Sequence, residues 1–185
     1  MLSKFGILIL GDNMHDKLEL LLNQINMPNE DYAYFKSGNL DKIVGNKNKD
    51  AYTFFITLEE ILPLETYINL LNLLKAKYLD YKVKLEISAV NSNNYAKEYY
   101  DYFIDKYAVD SPLIETFKES FLNYLNNCLE LEMHNKAETM KFDSIKEKLL
   151  KDLIRCGYKD IKINVTINKN KSIEVAEEIK KLQKN

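Results

Sequence analysis

Three carboxylate pairs, two histidines and two cysteines are the groups in this chain whose types and spacing could do chemistry. Asp101 and Asp105 stand one helical turn apart, as two ligands of a divalent cation would. Glu59-Glu60 and Glu130 with Glu132 are the other pairs. Metal-assisted phosphoryl transfer needs an ordered set of carboxylates around its ions. The chain offers isolated pairs instead: Asp101 and Asp105 read as a solvated helix face, Glu130 and Glu132 as the polar side of a strand. His15 and His134 lack partners at ligand spacing. Cys128 and Cys156 lie among apolar residues and fit no metal spacing, which reads as two small buried side chains in a reducing compartment. A disulfide between them is the other reading. A Cys–His nucleophile would need tertiary folding to bring Cys128 or Cys156 to His134. Gly11, Gly38, Gly45 and Gly157 are isolated, so they form neither a phosphate-cradling loop nor a dinucleotide fingerprint. No catalytic residue, metal site or cofactor is expected.

The elements that would position such groups follow from periodicity. Residues 12–26 predict a helix with Leu18, Leu21, Leu22 and Ile25 on one stripe. Residues 40–44 and 51–58 predict a hairpin around a polar loop, with Tyr52, Phe54 and Ile56 alternating against Thr53, Phe55 and Thr57. A helix is predicted to open at Pro63 and to carry Tyr67, Leu70, Leu71, Leu74 and Tyr78 on its apolar face. A strand follows over 81–89. The polar stretch 90–94 marks a module boundary. Beyond it, helices are predicted over 95–107 and 112–125, a strand over 129–133, and a helix over 144–156 opened by a Ser144–Glu147 capping box. Gly157 suits a left-handed helix end. A strand over 161–167, a polar break and a charged helix from Ser172 complete the chain. The fold class is therefore α+β, with two small modules in series: residues 1–90, residues 91–170, and a charged C-terminal helix or linker start over 171–185. The halves share a layout but no sequence repeat.

Net charge excludes one class of function. Twenty-six basic side chains against 28 acidic ones give −2, so no global field holds a phosphate backbone. The apolar run from Phe5 to Leu10 is too short to span a membrane and lacks a cleavage site. A cytoplasmic protein is expected.

The ordered signals resemble the N-terminal region of the PolC-type bacterial DNA polymerase III alpha subunit of low-GC Gram-positive bacteria and mollicutes. The stretch from Tyr52 to Tyr67, YTFFITLEEILPLETY, carries the most specific part: an aromatic strand, a Leu-Pro turn, then a helix with an acid and a tyrosine. Leu21–Met27, Phe35–Ile43, Ser111-Pro112, Leu129–Leu131 and Leu153–Tyr158 match in order. The family's Trp in the hairpin strand is missing here. The resemblance implies a first module similar to the C-terminal domain of the clamp-loader tau subunit. It implies a second module of type II KH-like fold. The parent chain would be a DNA-directed DNA polymerase with a proofreading exonuclease, and this segment would be its non-catalytic head.

Two functions follow as expectations. In the first, the segment docks the polymerase to replisome proteins, with clamp-loader tau, helicase or primase as candidates. Phe55, Ile61 and Leu64 then face a partner; the alternative is that they cover the module boundary. In the second, the KH-like module binds single-stranded nucleic acid, with Lys136, Lys141, Lys146 and Lys148 as its cations. The turn at 135–139 has no glycine, whereas a nucleic-acid-binding KH domain clamps the backbone with a GXXG loop. The tyrosines on the 95–107 helix read as core before base-stacking platforms. An unrelated small enzyme with a site assembled from scattered residues is the third possibility.

Overall fold

The computed structural model describes residues 14–46, 50–91, 95–109 and 111–168. The apolar run at Phe5–Leu10 and the predicted helix from Ser172 lie outside them. The described chain divides into two compact units. One holds the residues up to 91 together with Arg155–Tyr158; the other holds 95–154 and 159–168.

Unit 1 begins with α1 (Met14–Gln24). Its stripe Leu18, Leu21, Leu22 is buried, as is Ile25 beyond its end. Asn26, at φ 55°, takes the left-handed conformation that ends the helix, so an asparagine rather than the following Pro28 makes the stop. A 3-10 helix, Asp31–Phe35, follows; periodicity gave no sign of so short an element. Strands β1 (Asn39–Asn46) and β2 (Ala51–Glu60) pair antiparallel, with a bulge between Leu40 and Lys42. Helix α2 (Leu64–Lys77) then carries the chain back, so that β3 (Lys82–Asn91) lies parallel to β2. Pro63 stands just outside α2 as its cap residue. A parallel neighbour cannot be reached by a tight turn and needs this kind of crossover.

One face of the β1-β2-β3 sheet is core. Phe54, Ile56 and Leu58 of β2 and Leu85, Ile87 and Ala89 of β3 are buried on it with Leu70 and Leu74 of α2. Gly38 lies against this core: a Cβ there would stand 2.6 Å from a Leu58 methyl and 2.9 Å from one of Leu18. Arg155–Tyr158 complete the unit. Arg155 Nε lies 3.2 Å from Glu86 Oε1. Gly157 has φ +112°, and a Cβ on it would meet Ala89 Cβ at 3.2 Å and Ile61 Cγ1 at 3.3 Å. Only glycine suits both that backbone and that approach.

Unit 2 has α3 (Ala96–Ala108), a second 3-10 helix (Pro112–Ser120), strands β4 (Phe121–Leu125) and β5 (Cys128–Met133), α4 (Lys136–Arg155) and β6 (Lys162–Ile167). Again a hairpin is followed by a crossover helix and a parallel strand, in the order β4-β5-β6. Two expectations are corrected. The helix predicted over 112–125 is a 3-10 helix only as far as Ser120; Phe121 begins a strand. Asn126 and Asn127 both have positive φ, 50° and 58°, which is what a two-residue hairpin turn requires. The turn pairs Leu125 with Cys128. The last helix starts at Lys136, not Ser144. Asn135 Oδ1 accepts from the Glu138 N–H at 3.0 Å, and the Glu138 carboxylate accepts from the His134 N–H at 2.8 Å. That reciprocal cap is the real start of α4. Ser144 lies inside the helix and donates to the Lys141 carbonyl at 2.6 Å.

The core of unit 2 gathers Tyr99, Tyr100, Phe103, Ile104 and Tyr107 of α3, Phe117, the inward residues Leu129, Leu131 and Met133 of β5, and Phe142, Leu149 and Leu153 of α4. Phe117 and Phe142 meet edge to face at 5.5 Å. The Tyr100 hydroxyl donates to the Phe117 carbonyl at 2.7 Å, which satisfies it away from water. Burial, and secondarily the charge of Asp101, raise its pKa above the ordinary tyrosine value.

Inside unit 1 the buried Asp31 carboxylate accepts from the Thr66 hydroxyl at 2.6 Å. Thr66 is in the first turn of α2, whose cap residue Pro63 makes no side-chain cap hydrogen bond. An acid there complements the helix dipole. Thr66→Val keeps the branched shape and removes the donor. It is expected to cost about 1–3 kcal/mol, seen as a lower urea midpoint with unchanged slope. A change under about 0.3 kcal/mol would mean that the bond does not hold the two elements together.

Candidate functional site

The second face of the unit 1 sheet is built by alternation. Thr53, Phe55 and Thr57 of β2 point away from the core and are half-buried. Phe55 is centred among them. Lys42 stands opposite it on β1, with its ammonium 4.6 Å from the ring centroid, a cation–π distance. Glu86 stands opposite it on β3 and is engaged by Arg155. Thr57 donates to Asp41 at 2.8 Å. Ser37 donates to Glu59 at 2.9 Å. The result is an aromatic centre with a mixed-charge rim, without the one-sided positive field that a phosphate backbone selects.

Of the three expected partner contacts, Phe55 lies on this face and Leu64 is half-buried at the first position of α2. Ile61 is a correction. It is 1 % exposed and packs in the unit 1 core near Gly157. It cannot face outward because the turn between β2 and α2 puts Ile61 and Leu62 inside together.

The four lysines of α4 do not form one stripe. Lys141 and Lys148, seven residues apart, share a helix face, whereas Lys146 turns to the other side and is half-buried. Lys136 opens the helix. Lys148 lies 4.2 Å over the Tyr107 ring, and the Tyr107 hydroxyl donates to Asp152 at 2.7 Å. These lysines are thus interleaved with acids.

Asp101, Asp105 and His134 are each held by a neighbour. Asp101 is paired with Lys97 at 2.5 Å, and Asp105 with Lys118. His134 Nδ1 lies 3.1 Å from Glu138 in the cap of α4. The side chain of His15 lies outside the described residues. Among the described residues, no three His, Cys, Asp or Glu gather as a metal site would require. Tyr99 and Phe103 are buried in the unit 2 core, as the core reading of the tyrosine helix expects.

A feature that periodicity did not point to lies on α1. A cavity of about 200 Å³ is lined by Glu19, Leu22, Tyr32, Phe35 and Lys36. It needs the 3-10 helix to come back against α1, a tertiary event with no local sequence signal.

Neither Cys128 nor Cys156 is in a disulfide. Burial, then the hydrogen bond and charge of Glu130, push the Cys128 thiol above its usual pKa. A raised pKa means less thiolate near neutrality and slow alkylation. Iodoacetamide at pH 8 is expected to modify Cys128 several-fold more slowly than free cysteine, and Glu130→Gln to speed it. Modification as fast as free cysteine would contradict this arrangement.

Residues 17–87 match the family model described as DNA polymerase III polC-type N-terminus I. The chain is 30 % identical over 128 residues to a DNA polymerase III PolC-type of Oceanobacillus iheyensis, covering 66 % of this chain and 9 % of that protein. It is 29 % identical over 161 residues to the DNA polymerase III PolC-type of Staphylococcus aureus, covering 83 % of this chain and 11 % of that one. The chain thus spans about a tenth of the length of these curated relatives. No solved structure matches it. Among the described residues, no helix is long and apolar enough to cross a membrane. The resemblance carried by the ordered motifs holds: the chain is similar to the N-terminal region of PolC-type DNA polymerase III.

Proposed function

We propose, from that similarity, that the chain is a non-catalytic head segment of a replicative DNA polymerase and docks it to other replisome proteins. The observation that carries the reading is the family match over 17–87, which falls on unit 1, the unit with the aromatic-centred sheet face. Phe55, rimmed by Lys42, Glu86 and Arg155, has the make-up of a protein contact: an apolar anchor inside a polar margin. Leu64 adds apolar surface at the start of α2. The candidate partners are clamp-loader tau, helicase and primase. In this reading unit 1 is similar to the tau C-terminal domain and unit 2 has a KH-like layout, supported by small one-sided sheets under helices in both.

A nucleic-acid role for unit 2 has less support. Helix α4 begins at a cap of Asn135 and Glu138 and runs through all the lysines without a glycine loop. A backbone clamp of the KH kind uses such a loop.

The test is recovery of partners by the tagged chain from a lysate of its source organism, with nuclease present. Clamp-loader, helicase or primase proteins are expected to remain bound. Phe55→Asp is expected to cut their recovery at least several-fold while leaving thermal unfolding within a few degrees. Recovery of nucleic acid alone, or of partners that vanish with nuclease and are lost with Lys141→Glu/Lys148→Glu, would overturn docking in favour of single-strand binding. Deleting the segment from the parent polymerase should spare basal nucleotide addition.

A further inference from the structure

Unit 1 is closed by residues that its own run of sequence does not contain. The family match ends at residue 87 and the last strand of the unit, β3, ends at Asn91, yet Arg155–Tyr158 belong to it. Arg155 reaches β3 with its Nε 3.2 Å from the Glu86 carboxylate. Gly157 lies so close to Ala89 and Ile61 that a Cβ would crowd both. Cys156 and Tyr158, on either side of that glycine, are 0 % exposed. Unit 2 brackets the same four residues. Helix α4 runs directly into them, with Phe142, Leu149 and Leu153 in the unit 2 core. Asp160, at φ 53°, turns the chain, and β6 from Lys162 onward pairs with β5.

This connectivity sets an energetic link. With α4 and β6 formed, residues 155–158 are a short segment whose two ends are already placed, so seating it on unit 1 orders few further dihedrals. With unit 2 open, a free chain must make the same contacts and loses the full conformational entropy of the segment. The contacts are equal in the two cases and the ordering cost is not. Unit 1 is therefore more stable when unit 2 is folded, and linkage makes the dependence reciprocal.

We propose that Arg155–Tyr158 is a clasp that makes the two units open together, so that loss of order in α4 uncovers β3 at Glu86 and Ala89. The clasp also reaches the face described above. Glu86 stands opposite Phe55, so an open clasp removes one member of the rim around that ring. Only this consequence for partner binding rests on the docking reading; the coupling of the units does not.

The experiment follows the whole chain by amide hydrogen exchange, in a Cys128→Ser background so that iodoacetamide labelling reports Cys156 alone. Ile145→Val, a change confined to the unit 2 core, is expected to speed β3 exchange and Cys156 labelling together, each by roughly threefold. In the other direction Ile56→Val, in the unit 1 core, should speed exchange in β5. Gly157→Ala strains the clasp at φ +112° and should abolish both cross-effects. Arg155→Met, which leaves the backbone as it is, is the milder break and should weaken them. Faster β5 exchange in Ile145→Val with β3 unmoved would overturn the clasp. So would cross-effects that persist undiminished in Gly157→Ala or, where that variant fails to fold, in Arg155→Met. No partner protein takes part in these measurements, so a failed clasp leaves Phe55 docking standing and failed docking leaves the clasp.

Discussion

Each unit depends on one constraint: the second strand of a hairpin pairs parallel with the strand that follows a single helix. Parallel pairing leaves the chain at the wrong end of the sheet and demands a crossover. In unit 1 the crossover is α2, in unit 2 it is α4. One crossover covers one sheet face. The other face is left to alternate residues of the same strands, which is why Phe55 and Glu130 stand where they do. A sheet covered on both sides would read as continuous apolar runs; β2 and β5 instead alternate.

Much of this architecture is legible because period-2 and period-3.6 patterns survive in the sequence. The stripe Leu18, Leu21, Leu22, Ile25 and the alternation Leu129, Leu131, Met133 each report one buried face. The α+β class follows from them. The errors share a cause. Strand β4 is five residues long and begins after a Ser-Pro start that signals a helix. The two asparagines that turn it into a hairpin outrank propensity, because positive φ at both is a backbone event and leaves no apolar period. Likewise Ser144-x-x-Glu147 has the composition of a capping box, but Asn135 and Glu138 supply the same chemistry earlier, and the helix propagates through the later site.

The candidate sites show a similar division. Phe55 could be placed from alternation alone, since its neighbours Phe54 and Ile56 claim the core. Ile61 could not, because the turn after β2 has no period and tertiary packing decides its direction. The cavity on α1 joins Glu19 to Lys36 across a loop and a 3-10 helix, and no window of sequence contains that geometry. The family resemblance, by contrast, rests on ordered motifs spread along the chain and needs no contact map to be seen.

The four residues Arg155–Tyr158 carry a consequence for synthesis. A chain leaves the ribosome from its N-terminus, and domains commonly fold in that order. Here Gly157 packs on Ala89 and Ile61, and Arg155 pairs with Glu86, so unit 1 lacks part of its own packing until residue 158 has emerged. Unit 1 is therefore not finished where its own sheet ends: it waits, with Ala89 and Ile61 short of a neighbour, while α3 through almost all of α4 is translated, and unit 2 is complete only after β6 has emerged.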